Sequence, residues 1–244
     1  MKAMVLAAGL GTRLRPLTDD RPKALVNVAD RTLLEITLTR LKQFGVREVI
    51  VNVHHFADMI VAYLRANNNF GLHVEISREN ILLDTGGGLK KAGWFFDRDS
   101  EPFLLHNVDV ISTIDFQEML RFHNDRQGLA TLAVKDRQTS RFLIFDEQQE
   151  LCGRRLVREE KLEIARPCPS SHRVELAFAG IHIISPRLIS LLTGEGAFSI
   201  IDSYLGLAGR GEKIFGFRAD TYNWRDLGTV ESLKKATAEL EAQR

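Results

Sequence analysis

Ala3-Met4-Val5-Leu6-Ala7-Ala8-Gly9-Leu10-Gly11-Thr12-Arg13-Leu14 joins an apolar run to a pair of glycines and then to a cation, and Pro16-Leu17-Thr18 and Pro22-Lys23 follow directly. The continuous apolar segment Ala3–Ala8 reads as a short strand covered on both faces. Small residues after it let backbone approach a ligand closely, and their N–H groups can converge on phosphate oxygens. Arg13 adds a planar fork of donors and Lys23 a point charge. Two cations beside a nest of amides match a triphosphate, which carries about four negative charges near neutral pH.

Working outward, strand and helix patterns alternate. Val46–Val53, Leu72–Ser77 and Phe103–Asp109 read as further strands. Between them, Leu33, Leu34, Leu38 and Leu41 share a helix face that Gly45 ends, Ile60, Val61 and Leu64 mark a second helix, and Leu89–Phe96 a third. Strand and helix alternating at this spacing predict an α/β fold: a three-layer, Rossmann-like, mainly parallel central sheet with helices on both faces. Ligands of such sheets bind beyond the carboxyl ends of the strands.

The second half is less regular. Leu129–Lys135, Arg141–Phe145, Val174–Ile184 and Lys213–Phe217 read as strands. Pro186–Leu192, Ile200–Ala208 and Thr229–Ala242 read as helices, with Thr229 as a cap. The polar stretch Glu147–Ser171, with Pro167 and Pro169, reads as an excursion with little core of its own. No repeat or linker divides the chain, so a single domain over 1–244 is expected, residues 1–128 forming a nucleotide-binding half and 129–244 a sugar-binding half with a closing helix.

Composition narrows the function classes. With 44% hydrophobic and 27% charged residues, disorder is excluded as the main state. Thirty-three Lys+Arg against 32 Asp+Glu leave a net charge of +1, which offers no basic excess for nucleic acid or an anionic membrane. Cys152 and Cys168 make no disulfide framework, and no CxxC pair points to zinc. No apolar run approaches the roughly 18–20 residues of a membrane span. A soluble, cytoplasmic protein, monomeric or a small homo-oligomer, is expected.

Three readings compete for the glycine loop, the plainest being a strand-to-loop turn that carries two solvated cations. A GxGxxG dinucleotide fingerprint has Leu14 at its third glycine position, and the next strand ends in Asn52-Val53-His54 without an acid. A Walker-type P-loop lacks its Gly-Lys-Ser/Thr. The third reading is a family: Leu6–Leu25 closely resembles the signature of sugar-1-phosphate nucleotidylyltransferases, LAAGxGTRLxPLTxxxPKxL. The likeness is greatest to short uridylyltransferase members acting on N-acetylmuramate 1-phosphate, and next to the mannose-1-phosphate guanylyltransferase type.

That resemblance implies a fold of the nucleotide-diphospho-sugar transferase type and a set of site residues. Ala7, Ala8, Gly9, Gly11, Thr12, Arg13 and Lys23 would bind the nucleotide, with Arg13 and Lys23 serving catalysis. Asp84-Thr85-Gly86-Gly87-Gly88 resembles the family's second glycine-rich segment, so Asp84, Gly86 and Gly87 are expected at the nucleobase, where three glycines at a helix entry offer bare backbone. Asp109 and Asp226, the latter in Trp224-Arg225-Asp226-Leu227-Gly228-Thr229, are the implied Mg²⁺ carboxylates. Many members have Asn-Gly-Asp where this chain has Asn107-Val108-Asp109, which puts the backbone approach to the sugar in question.

On the sugar side, Glu175 and Gly180 resemble a family strand in which a carboxylate holds hydroxyls and glycine makes room for the ring. Asn107 stands next to the metal position, Asp202 is expected in the same cleft, and Ser140 and Arg141 are expected to flank the sugar or its phosphate. His54 and His55 are adjacent on a strand or its exit and point apart, so they share no metal. His106 is expected as a hydrogen-bonded core residue.

The implied enzyme makes an NDP-sugar and pyrophosphate from an NTP and a sugar-1-phosphate. A sugar-phosphate oxygen attacks the α-phosphorus in line, with Mg²⁺ and with UTP favoured. GTP with a mannose-like sugar, or cytidylyl transfer to a phosphorylated alcohol, are the alternatives within the reaction class. Outside it stand a non-catalytic nucleotide-sugar-binding regulator and a dinucleotide oxidoreductase.

Overall fold

Ala3, Met4 and Val5 are all fully buried, yet they enter two different cores. Ala3 and Val5 face one layer and Met4 the other, as the two-residue period of a strand requires. The computed structural model describes residues 1–242. In its first half, β1 (Ala3–Leu6) is followed by a small hairpin of β2 (Asn27–Val28) and β3 (Arg31–Thr32). Then come α1 (Leu33–Gln43), β4 (Glu48–Val53), α2 (Ala57–Ala66), β5 (His73–Arg78), α3 (Asp84–Ala92), β6 (Phe103–Asn107), β7 (Val110–Ser112) and α4 (Phe116–Arg126). The second half holds β8 (Ala130–Lys135), β9 (Arg141–Phe145), β10 (Leu151–Leu156), β11 (Lys161–Ile164), β12 (Val174–Ile184), α5 (Arg187–Leu191), α6 (Ile200–Gly209), β13 (Ile214–Arg218), β14 (Trp224–Asp226) and α7 (Val230–Ala242).

The central sheet runs β11-β10-β9-β12-β6-β1-β4-β5, and β8 and β13 continue from β12. Pairing is parallel through β6-β1-β4-β5 and between β8 and β13. Strand β12 runs antiparallel to β6, β8 and β9 and ties the two parts together. Helices α1, α2, α4 and α7 cover one face through Leu38, Ile60, Met119 and Leu233. Helices α3, α5 and α6 cover the other through Leu89, Leu188 and Tyr204. The three layers expected from the alternating pattern are present, and each core draws on both halves of the chain.

Local signals explain the helix starts. Thr32 accepts a hydrogen bond from Glu35 N at 3.0 Å, Asp115 caps α4 by accepting from Gln117 N and Glu118 N, and Thr229 Oγ1 accepts from Ser232 N at 3.2 Å. The Glu147–Ser171 excursion corrects to structure: β10 and β11 form a hairpin that extends the sheet, with Leu151 and Cys152 buried. Its strands mix charged and apolar residues because Arg154 and Arg155 bond to carboxylates on opposite faces, which hides the pattern of a buried strand.

Candidate active site

Strand β1 sets the position of the site. Its last residue, Leu6, stands in register with Asn52 of β4 on one side and Asn107 of β6 on the other. The chain leaves β1 toward β4 and β5, then crosses back to place β6 against β1. Strand order therefore reverses between β1 and β6, and their carboxyl ends open the crevice where ligands of such sheets bind.

The glycine loop lies across this edge. Gly11 has φ +66°, and Thr18 Oγ1 donates to its carbonyl at 2.9 Å, so Thr18 fixes the loop's shape. A Cβ added at Gly9 would lie 3.6 Å from Lys23 Nζ, and one at Gly11 would lie 3.1 Å from Lys23 Cβ. Lys23 thus runs alongside the loop, and its Nζ meets Asp109 Oδ2 at 2.8 Å with both side chains largely buried. Among the described residues, the N–H groups of Ala8, Gly9, Gly11 and Thr12 donate to no protein acceptor. The N–H of Ala7 is engaged: Asn52 Oδ1 accepts it at 2.7 Å.

A two-stranded ribbon brings the second aspartate in. Strands β14 and β7 pair antiparallel with Asp226 opposite Val110, and Leu227 N donates to the Asp109 carbonyl at 2.8 Å. Gly228 leaves room for what lies over it: a Cβ there would be 2.6 Å from Arg13 Nη2 and 2.7 Å from Asp226 Oδ1. Arg13, Lys23, Asp109 and Asp226, drawn from three separate segments, thus converge. Val108 is fully buried in the core, and its backbone is engaged: its N–H donates to the Leu6 carbonyl at 3.2 Å and its carbonyl accepts from Thr37 Oγ1 at 3.4 Å.

Asp109 and Asp226 supply two hard carboxylates at one edge, a donor set suited to Mg²⁺ when substrate phosphates and waters complete the shell. No larger cluster of three or more His, Cys, Asp or Glu capable of holding a metal occurs among the described residues.

The second glycine segment opens α3, with Asp84 at φ +56°. The N–H groups of Gly86 and Gly87 donate to the Phe198 carbonyl at 2.9 and 3.3 Å. A Cβ at Gly86 would strike the Phe198 ring, one at Gly87 the Gly196 carbonyl, and one at Gly88 both Glu79 Oε1 and Asn52 Nδ2. The glycines are therefore required by close packing, and the amides of Gly86 and Gly87 are not the bare donors that the sequence suggested.

Sequence reasoning missed the link beneath these two loops. Asn52 and Glu79 are buried; Asn52 Nδ2 donates to Glu79 Oε1 at 2.6 Å, and Glu79 Oε2 accepts from Leu83 N at 2.9 Å. Together with the Ala7 bond, this chain couples the glycine loop to the segment before α3. The available signals were a lone amide at the end of an apolar strand and an acid just past another.

Strand β12 is irregular between Phe178 and His182, where Gly180 takes φ +74°. A Cβ there would lie 2.9 Å from Asn107 Nδ2, so these two expected residues do meet. Trp224 Nε1 donates to the Ala179 carbonyl at 2.7 Å, which sets the ribbon against the same bend. Glu175 is held by Arg155, which stacks on Phe142. Asp202, on α6, is held by Arg154. Adjacent residues of β10 point to opposite faces, so Asp202 does not share a face with Glu175, and the common cleft expected for them is not formed. Ser140 accepts Val157 N–H through its carbonyl at the start of β9, beside Arg141.

His106 is buried with Nδ1 at 2.8 Å from the Asn107 carbonyl, and burial pushes its pKa down to about 4, as a neutral core histidine requires. His54 Nδ1 lies 2.9 Å from the Glu79 carbonyl, whereas His55 is exposed.

A sequence model of the nucleotidyl transferase family matches residues 2–243. The chain belongs to that family. N-acetylmuramate alpha-1-phosphate uridylyltransferase of Caulobacter vibrioides is 34% identical to it, over 98% of this chain and 96% of that protein. A mannose-1-phosphate guanyltransferase of Yarrowia lipolytica is 28% identical over 97% of this chain but only 63% of its own length. UDP-glucose pyrophosphorylase from Acinetobacter baumanii superposes with a TM-score of 0.79 at 18% identity, covering 100% of this chain and 94% of that one, which establishes the fold. Membership in the sugar-1-phosphate nucleotidylyltransferases, expected from Leu6–Leu25, holds.

Proposed function

We propose that this nucleotidyl transferase joins an NTP, with UTP favoured, to a sugar-1-phosphate and releases pyrophosphate. The observation that carries the reading is the meeting of Arg13, Lys23, Asp109 and Asp226 at the β1/β6 crevice. The likeness to an enzyme that uses N-acetylmuramate 1-phosphate over nearly the full length of both chains favours UTP and makes that sugar acid the first acceptor to test. The mannose-1-phosphate guanyltransferase relative keeps GTP as the second choice.

An oxygen of the sugar phosphate forms a bond to the α-phosphorus, and the bond from that phosphorus to the bridging oxygen breaks, with pyrophosphate leaving on the bond's electron pair. The nucleophile is already anionic, so no general base is needed. The difficulty is repulsion: unit charges about 4 Å apart oppose each other by several kcal/mol at an effective dielectric near 20. Lys23 and Arg13 offset this at the triphosphate and stabilise charge in the transition state. The unengaged amides of the glycine loop bind phosphate oxygens. Asp109 and Asp226 would hold Mg²⁺, which supplies charge neutralisation and orientation. We place the reaction in the cytoplasm, and among the described residues no helix is long and apolar enough to cross a membrane.

The test is pyrophosphate release from a matrix of the common NTPs against sugar-1-phosphates, with and without EDTA. Release with UTP and N-acetylmuramate 1-phosphate, lost in EDTA, is expected. Release with GTP and mannose 1-phosphate selects the second choice, and silence across the matrix overturns the reading in favour of a binding protein.

A further inference from the structure

Arg137 lies in the turn after β8, and none of the roles assigned above uses it. Its guanidinium stacks on the Trp224 ring, 4.3 Å from the centroid. Nη2 donates to the Phe178 carbonyl at 2.9 Å and Nη1 to the Gln138 carbonyl at 3.3 Å. Nε is enclosed and has no partner among the described residues. Arg154, Arg155, Arg166, Arg187 and Arg225 each hold a carboxylate, whereas Arg137 forms no ion pair among the described residues. Arg40 also rests on aromatic rings and a carbonyl, but Phe44 and Phe116 lie on it together, and it bridges α1 to the start of α4.

The surroundings of Arg137 are those of the candidate site. Phe178 and Ala179 lead into the bend at Gly180, which touches Asn107, and Trp224 stands two residues before Asp226. Burial pulls the Arg137 pKa down, and the Asp226 carboxylate acts against that. A half-buried guanidinium without a close counter-ion is an unfavourable arrangement. Its fork suits a bidentate oxyanion, and the Trp224 ring holds its plane.

We propose that Arg137 binds an oxyanion of the acceptor substrate; this rests on the nucleotidyl-transfer reading and adds a residue to its acceptor half. The oxyanion is either the phosphate that every acceptor carries or a carboxylate borne by a sugar acid. Arg137 itself performs no chemical step.

Steady-state kinetics of the full chain and of its Arg137→Ala and Arg137→Lys variants, with thermal melts, test this. The acceptors are N-acetylglucosamine 1-phosphate, which has only the phosphate, and N-acetylmuramate 1-phosphate, which also has a carboxylate. Arg137→Ala should raise the acceptor KM by about 10- to 100-fold, as loss of a charged hydrogen-bonded contact does. The NTP KM should stay within about twofold and Arg137→Lys should recover part of the loss. Equal rises for both acceptors assign the phosphate, and a rise confined to the sugar acid assigns the carboxylate. Unchanged acceptor KM, or acceptor and NTP KM rising together, overturns the proposal. If the wild type releases no pyrophosphate with any pair, the transfer reading itself has failed. Isothermal titration with N-acetylglucosamine 1-phosphate, N-acetylmuramate 1-phosphate and inorganic phosphate then decides on Arg137: binding of any of them lost in Arg137→Ala supports it, whereas equal binding of all three, or none to either protein, overturns it.

Discussion

Lys23 and Asp109 are separated by 86 positions, and their contact is the clearest single interaction at the crevice. Because both side chains are largely enclosed, removing one leaves the other charged and poorly solvated. Lys23→Ala should lower kcat/KM by roughly 10²- to 10³-fold, as removal of a preorganised charge does; a pyrophosphate assay reads this, and an unchanged value removes Lys23 from the site. Asp226→Ala should abolish Mg²⁺-dependent release while leaving the melting temperature nearly unchanged, since that side chain is exposed. Lys23 and Arg13 were legible because the loop packs many specified residues into a few positions. Arg137 was not, because its meaning comes from Trp224 and Phe178, far away in sequence.

At the scale of elements, the Asn52–Glu79 chain sets how the glycine loop sits relative to α3. Glu79→Ala strips the acceptor from Asn52 Nδ2 and Leu83 N, and a buried group left unsatisfied costs about 1–3 kcal/mol. We expect a lower melting temperature and a raised NTP KM with the acceptor KM unchanged. Asp202→Ala should behave oppositely to a sugar ligand: Arg154 keeps Glu163, so stability shifts by no more than about 1 kcal/mol and the acceptor KM does not move. The strands of the first half were readable because burial on both faces leaves an unbroken apolar run. The β10–β11 hairpin was not, because it covers its polar positions with ion pairs instead. Likewise, the glycines of α3 declare a tight contact without saying with what, and Phe198 and Gly196 answer only once the chain has folded.

For the molecule as a whole, three histidines buried away from water make stability depend on pH. Burial pushes His106 and His123 down to about 4 and His182 to about 3. In the unfolded chain each titrates near its ordinary value of about 6.5, so below that pH the unfolded state binds more protons than the folded one. Stability should be flat above about pH 7 and fall as pH drops from 6.5 toward 4, by roughly 1–2 kcal/mol per histidine at pH 5. Urea titrations at pH 7.5 and 5.5 check the sign, and His182→Gln should flatten the slope. The layered architecture itself followed from strand and helix alternation, whereas β12, which binds the parallel and antiparallel parts together, has no local signature of that task.

The pairing of β14 with β7 also has a temporal side. A ribosome emits the glycine loop and Asp109 long before Asp226, and the ribbon that delivers the second carboxylate closes only when that later segment has emerged. A nascent chain therefore has only one of the two aspartates until every other part of the crevice has been made.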